Sequence, residues 1–145
     1  MPLLGTILIR YLNLFVRGAL RFGLKRQNRL TQNIVAGYLA PYDTFENRIA
    51  NLKFVQDIPM EQTVPSYSVI QYIERNLKQF GGYPILIIWG SEDFCFNEKF
   101  LNKWREIFPR AEVHEVCNAG HLIVEDASDE IIPLIEDFLR KSNIF

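Results

Sequence analysis

Asp93 and His121 are the side chains of this 145-residue chain whose types and spacing point to proton-transfer chemistry. Asp93 closes the run Trp89-Gly90-Ser91-Glu92-Asp93, directly after the apolar segment Ile85-Leu86-Ile87-Ile88. His121 closes Ala119-Gly120-His121, 28 residues further on. An aspartate that accepts from one imidazole nitrogen fixes the tautomer and stabilises the imidazolium, leaving the other nitrogen as general base. The two residues make two thirds of a nucleophile–base–acid triad. No nucleophile motif accompanies them: the sequence contains no Gly-x-Ser-x-Gly, and Ser91 has no glycine two residues on.

Such a pair works only if two loops project from the same edge of one sheet. The uninterrupted apolar run Ile85–Trp89 reads as a strand buried on both faces of a parallel sheet. Asn97 is placed to cap a helix from Glu98 to about Phe108, which Pro109 ends, and Ala111 to Val116 reads as a second strand. A last helix is expected over Ser128–Lys141, with acids in its first turn and Arg140-Lys141 in its last. Strand, helix, strand, loop and helix make a parallel crossover unit. Both candidate loops then leave the carboxyl ends of the strands, where open parallel sheets bind ligands, with the strands about 4.8 Å apart.

Upstream the pattern is helical. Leu3–Leu24 reads as one amphipathic helix, with Arg10, Arg17 and Arg21 on one face and Leu4, Leu8, Leu12, Phe15 and Ala19 on another. The three arginines argue against a membrane span or a signal segment; packing on the protein and lying on a membrane surface stay as alternatives. Pro41 is read as opening a helix that runs through Asn47 to Val55, stopped by Asp57-Ile58-Pro59. Ser66 is placed to cap a further helix to about Phe80, with Val69, Ile70, Ile73 and Leu77 on its apolar side and Gly81-Gly82 at its end.

Composition narrows the function classes. Nearly half the residues are hydrophobic, enough for a core. The net charge of −1 hides an asymmetry of +6 over residues 1–56 and −7 over residues 57–145. No basic patch interleaves with stacking aromatics, so a nucleic-acid partner is not expected. Two cysteines do not make a disulfide framework, and a reducing, cytoplasmic setting is expected. Cys95, His114, Cys117 and His121 follow no common zinc-ligand spacing, and no metal or organic cofactor is implied. Cys117, four residues before His121, is a weaker candidate nucleophile. His114 reads as a surface strand residue and Trp89 as core, while Glu125 and Asp126 read as caps of the last helix. The lesser alternatives are that Asp93 merely caps the following helix or a turn, and that His121 is a structural hydrogen-bonder.

The residues also carry a family resemblance. Trp89-Gly90-Ser91-Glu92-Asp93 and Gly120-His121 resemble the acid and histidine loops of α/β-hydrolases. Ala40-Pro41-Tyr42, Asn47-Arg48, Phe54-Val55-Gln56-Asp57-Ile58-Pro59, Trp104-Arg105, Phe108-Pro109 and Val124-Glu125-Asp126-Ala127 are similar to the haloalkane-dehalogenase-like branch, which includes β-lactone decarboxylases. This resemblance implies a helical cap over residues 1–82 and the C-terminal half of a hydrolase core, with its last two parallel strands and flanking helices, over 83–145. It implies Asp93 as triad acid and His121 as the base that activates water. Tyr42, Arg48, Phe54 and Gln56 are candidate substrate contacts from the cap, with packing and salt-bridging within the cap as the alternative reading. In the family the nucleophile and the oxyanion-hole loop precede the cap. The expectation is therefore a shortened hydrolase (a gene fragment, a late start or half of a split protein), inactive as it stands, with a small apolar substrate in the full-length enzyme and a complementing N-terminal half as a candidate partner. The alternative is a non-catalytic interaction module that docks on a partner or a membrane surface through Leu3–Leu24.

Overall fold

The computed structural model describes residues 2–142; the expected segments 1–82 and 83–145 extend at their outer ends beyond the described residues. Two parallel strands, β1 (Leu86–Gly90) and β2 (Glu112–Val116), pair in register from Leu86 opposite Glu112 to Gly90 opposite Val116. The helices are α1 (Pro2–Thr6), α2 (Leu14–Gly23), α3 (Gln32–Leu39), α4 (Ile49–Gln56), α5 (Ser66–Asn76), α6 (Glu98–Ile107) and α7 (Ile123–Lys141). The fold is thus α/β, with helices upstream and a parallel crossover downstream. Backbone proximity groups the chain into two units. One holds residues up to Leu20 with Thr31–Asn76, and is all helical. The other holds Arg21–Leu30 with everything from Leu77 onward.

In the second unit the crossover forms as its sequence dictates. Asn97 sits in extended backbone and accepts from Lys99 N at 3.0 Å, which starts α6. Leu101 on α6 is almost wholly buried, while Val116, Ala119, Ala127 and Ile131 form a small core against Ile88 and Ile123. The expectation of a strand buried on both faces is corrected for β1. Leu86, Ile87, Ile88 and Trp89 are only half-buried, because β2 covers one edge and no other described strand covers the second. Downstream, α7 is continuous in name but broken at Ala127, whose φ of −143° and ψ of 32° are not helical. The regular helix therefore begins near Ser128, where the sequence places it.

The helical unit departs further from its sequence reading. Leu3–Leu24 is not one helix. A π-helical turn at Ile7–Tyr11 follows α1, and Asn13, at φ 51°, turns the chain through 72° before α2. Asparagine tolerates the left-handed region, and the Asn13 side chain fastens the bend by donating from Nδ2 to Tyr42 O at 3.2 Å. Arg10 is consequently cut off from Arg17 and Arg21. Its guanidinium instead bonds Phe45 O and lies 3.6 Å from the Phe45 ring centre. The buried face is set by Ile9, Val16 and Leu20, whereas Leu4 and Leu12 of the expected stripe are exposed.

No single helix among the described residues is long and apolar enough to cross a membrane; the bent pair Leu3–Tyr11 and Leu14–Gly23 meets that test jointly, by length and composition. The helix read from Pro41 begins only at Ile49. Residues Ala40–Tyr42 form a 3₁₀ turn whose carbonyls are taken by Arg48, at 2.7 Å from Tyr42 O and 2.6 Å from Asp43 O, so no helical ladder forms there. Ser66 lies within α5 and donates to Asp57 O at 2.5 Å rather than capping. The expected apolar side of α5 is open: Val69, Ile70 and Ile73 are exposed, and Leu77 falls in the 3₁₀ segment that ends the helix.

Candidate active site

The acid loop is built backward onto its own strand. Asp93 N donates to Gly90 O at 3.2 Å, and Asp93 Oδ1 accepts from Cys95 N at 2.7 Å and Phe96 N at 2.9 Å. This is an Asx turn, which an aspartate closes with one oxygen. Trp89, at the strand end, donates from Nε1 to Phe96 O at 3.0 Å and ties the far side of the loop to β1. The second carboxylate oxygen is left over, and it faces His121. Asp93 Oδ2 and His121 Nδ1 stand 3.0 Å apart. The turn-capping and histidine-pairing readings of Asp93 are therefore both satisfied, one oxygen each.

The pair is graded in exposure: the Asp93 side chain is 10% exposed and that of His121 35%. The rings of Phe94 and Phe96 flank the imidazole at 6.2 and 5.4 Å between centres. An acceptor-only carboxylate opposite Nδ1 favours the tautomer with its proton on Nδ1, and leaves the Nε2 lone pair for an incoming proton.

The histidine loop packs against two other backbone segments, the acid loop and the end of α2. Glu92 N donates to Ala119 O at 2.9 Å, which joins the two loops directly, and Ser91 N donates to Val116 O at 3.0 Å. Gly90 permits this approach: a Cβ there would lie 2.6 Å from Ala119 O and closer still to Gly120 O. Gly120 is required in the same way by Gly23 O. Leu122 N in turn donates to Gly23 O at 3.0 Å, so the end of α2 lies beside the loop.

Asp126 corrects its sequence reading. It does not cap the last helix. It is fully buried and accepts from Lys25 N at 3.0 and 3.1 Å, Arg26 N at 2.7 Å and Gly120 N at 2.7 Å. Arg26 donates from Nε to Asn118 O at 3.1 Å and from Nη2 to Cys117 O at 2.9 Å, and its remaining nitrogen pairs with Glu130. Neither residue carried a local signal, because their partners lie about a hundred positions apart in the chain.

The other sequence candidates are dispersed. Tyr42 lies in the helical unit, its carbonyl held by Asn13 and Arg48, and it borders a groove with Asn13, Arg17 and Asp43. Phe54 is exposed on the same unit, edge-on to Phe15, and borders a different groove with Lys53, Gln56 and Asp57. His114 pairs with Glu112 at 2.7 Å on β2. Cys95 and Cys117 are exposed free thiols, and among the described residues no three metal-binding side chains cluster.

A family model described as the alpha/beta hydrolase fold matches residues 3–128. The chain is 44% identical over 140 residues to a cis-3-alkyl-4-alkyloxetan-2-one decarboxylase of Shewanella oneidensis, covering 97% of this chain and 44% of that protein. It is 35% identical over 139 residues to the protein of the same name from Xanthomonas campestris, covering 96% and 46%. Among solved structures, a haloalkane dehalogenase loop variant from Bradyrhizobium elkanii superposes with a TM-score of 0.88 at 21% identity, over 99% of this chain and 47% of that one. The chain thus spans less than half the length of the relatives it matches. On the match to residues 3–128, it belongs to the α/β-hydrolase fold family.

Proposed function

We propose that Asp93 and His121 are the acid and base of a hydrolase-type active site acting on a small apolar substrate, with an alkyl-substituted oxetan-2-one as the leading candidate. The observation that carries the reading is the 3.0 Å contact between Asp93 Oδ2 and His121 Nδ1 at the carboxyl ends of adjacent parallel strands. Cys95 N and Phe96 N hold the carboxylate in place, and it holds the imidazole. His121 Nε2 accepts a proton during the reaction and gives it back before product leaves, so that no net proton or water is consumed, while Asp93 stabilises the imidazolium. The nucleophile is assigned to a segment outside these 145 residues, supported by the greater length of the relatives. Alone, this chain is inactive in this account.

The substrate class rests on the two decarboxylase relatives, which align along almost the whole chain. An oxetan-2-one is an ester strained in a four-membered ring. Opening it with loss of carbon dioxide leaves an alkene, so the reaction balances without a cofactor. The helical unit is assigned the cap's role, with Tyr42 and Phe54 as its contacts to the alkyl chains. Joining this chain to the N-terminal portion of the Shewanella relative and supplying a cis-dialkyl oxetan-2-one tests the reading. Carbon dioxide release is expected. Bromide release from a bromoalkane with no action on the lactone would move the assignment to dehalogenation.

One observation favours a second reading, an interaction module. Leu3, Leu4, Ile7 and Leu12 are exposed, and no acid precedes Asp43. Sedimentation with anionic but not neutral vesicles supports it; absence of binding to either removes it.

A further inference from the structure

A buried carboxylate whose described hydrogen-bond partners are all backbone N–H groups needs a reason. Asp126 is fully buried, and the groups that answer its charge are backbone N–H donors from Lys25, Arg26 and Gly120. The side chains of Lys25 and Arg26 turn elsewhere, to Glu92 and to Glu130. Both carboxylate oxygens are used, Oδ1 by Lys25 and Arg26, Oδ2 by Lys25 and Gly120. Asparagine has the same shape but must aim an N–H at one of these donors. The site therefore demands an acid, not merely a filler.

What the acid holds is the loop that carries His121. Gly120 N is bound by Asp126, which also holds Lys25 N and Arg26 N, and Leu122 N is bound by Gly23 O, so the residues before and after His121 are tied to the Gly23–Arg26 segment, one through Asp126 and one directly. The start of the loop is fixed by the same segment. Arg26 binds the carbonyls of Cys117 and Asn118, where Asn118 adopts a left-handed φ of 54°. Among the described residues the imidazole itself has one hydrogen bond, to Asp93, and otherwise the flanking Phe94 and Phe96 rings. Its register against Asp93 is thus set by backbone anchors.

We propose that Asp126, with Arg26, is the positioning element for His121: together they clasp the 117–122 loop to the Gly23–Arg26 turn and so hold Nδ1 opposite Asp93. This rests on reading Asp93–His121 as the acid–base pair, but it concerns geometry and is measured without turnover. A displacement of about 1 Å at such a pair is enough to disable it.

The test uses the full chain with nitrogen-15-labelled histidine, and follows the imidazole nitrogens by NMR. His114 is the internal reference, and a His114→Gln protein assigns the two rings. The unsubstituted protein is expected to show His121 protonated on Nδ1, with one downfield, exchange-protected Nδ1 proton. Asp126→Asn is expected to abolish that proton signal and move His121 toward the Nε2-protonated form, with His114 and the far-ultraviolet dichroism unchanged. Wild-type His121 signals in a folded Asp126→Asn protein overturn the proposal. If Asp126→Asn does not fold, Arg26→Gln decides, since Arg26 is partly exposed and lies outside the core. Loss of the protected Nδ1 proton there supports the clasp, and its retention overturns it. Turnover that survives His121→Ala would instead refute the catalytic reading and leave these signals as they are.

Discussion

Gly90→Ala is expected to damage the site from a position that touches neither Asp93 nor His121 side chains. Gly90 has an ordinary φ, so alanine meets no backbone strain there; the effect is steric. The new Cβ would lie 2.6 Å from Ala119 O and 2.9 Å from Ala119 C, both backbone atoms that cannot rotate aside. Ordinary contact begins near 3.4 Å and Gly120 O lies closer still, so the histidine loop must retreat by at least about 0.8 Å. That retreat pulls on the bond from Glu92 N to Ala119 O, which links the two loops. Overpacking of this kind costs about 1–3 kcal/mol, and a lost buried hydrogen bond about 1 kcal/mol more. For a chain of this size the sum lowers the melting temperature by roughly 5–15 °C. Thermal unfolding followed by circular dichroism reads the loss, and the Nδ1 proton of His121 reads the displacement. Gly18→Ala is the control: nothing lies within 4 Å of its Cβ, in the middle of α2. It should stabilise by up to about 1 kcal/mol. A Gly90→Ala protein that melts with the wild type and keeps its Nδ1 proton refutes the close-approach reasoning.

Three further outcomes follow from other parts of the molecule. The side-chain hydrogen bond from Arg29 holds Asp129 below its ordinary range, so the folded state binds fewer protons than the unfolded one near pH 4. That contribution is present above the unfolded value and lost as pH falls through the folded one. Asp129→Asn should thus lower the urea midpoint slightly at pH 7 and by less as the pH falls below the ordinary carboxylate range; a deficit that does not shrink with falling pH would contradict it. Asn13→Val should lower the melting temperature markedly and Asn13→Gly less, because φ of 51° suits glycine and not a β-branched residue; equal effects would argue against strain. The open edge of β1 and the exposed Val69, Ile70 and Ile73 predict dye binding and concentration-dependent association. A monomer by sedimentation at high concentration, with no dye signal, would contradict that.

The legible parts of this chain were those whose signals are local. An apolar run, an Asn cap and a proline stop define β1 and α6 within a few residues, and the parallel crossover then brings Asp93 and His121 to one edge. The break at Asn13 was hidden because a hydrophobic period carries on through a left-handed asparagine, and what fastens the bend is the Tyr42 carbonyl. Asp126 was misread for a related reason. An acid before a helix looks like a cap, while its actual donors at Lys25 and Arg26 sit a hundred residues away. Arg48 likewise replaced an expected helix with a turn by taking the carbonyls of Tyr42 and Asp43. The exposed faces of β1 and α5 show the reverse limit: periodicity identifies an apolar face but not what covers it.

The central claim is that His121, oriented by Asp93, is the base of the reaction. The most direct measurement is steady-state carbon dioxide release from a cis-dialkyl oxetan-2-one by this chain joined to the N-terminal portion of its Shewanella relative, with and without His121→Ala. Loss of turnover by about 10⁴-fold or more is expected, since a base that is part of a triad acts as a unit with its partners. Turnover within tenfold of the unsubstituted protein would contradict the account.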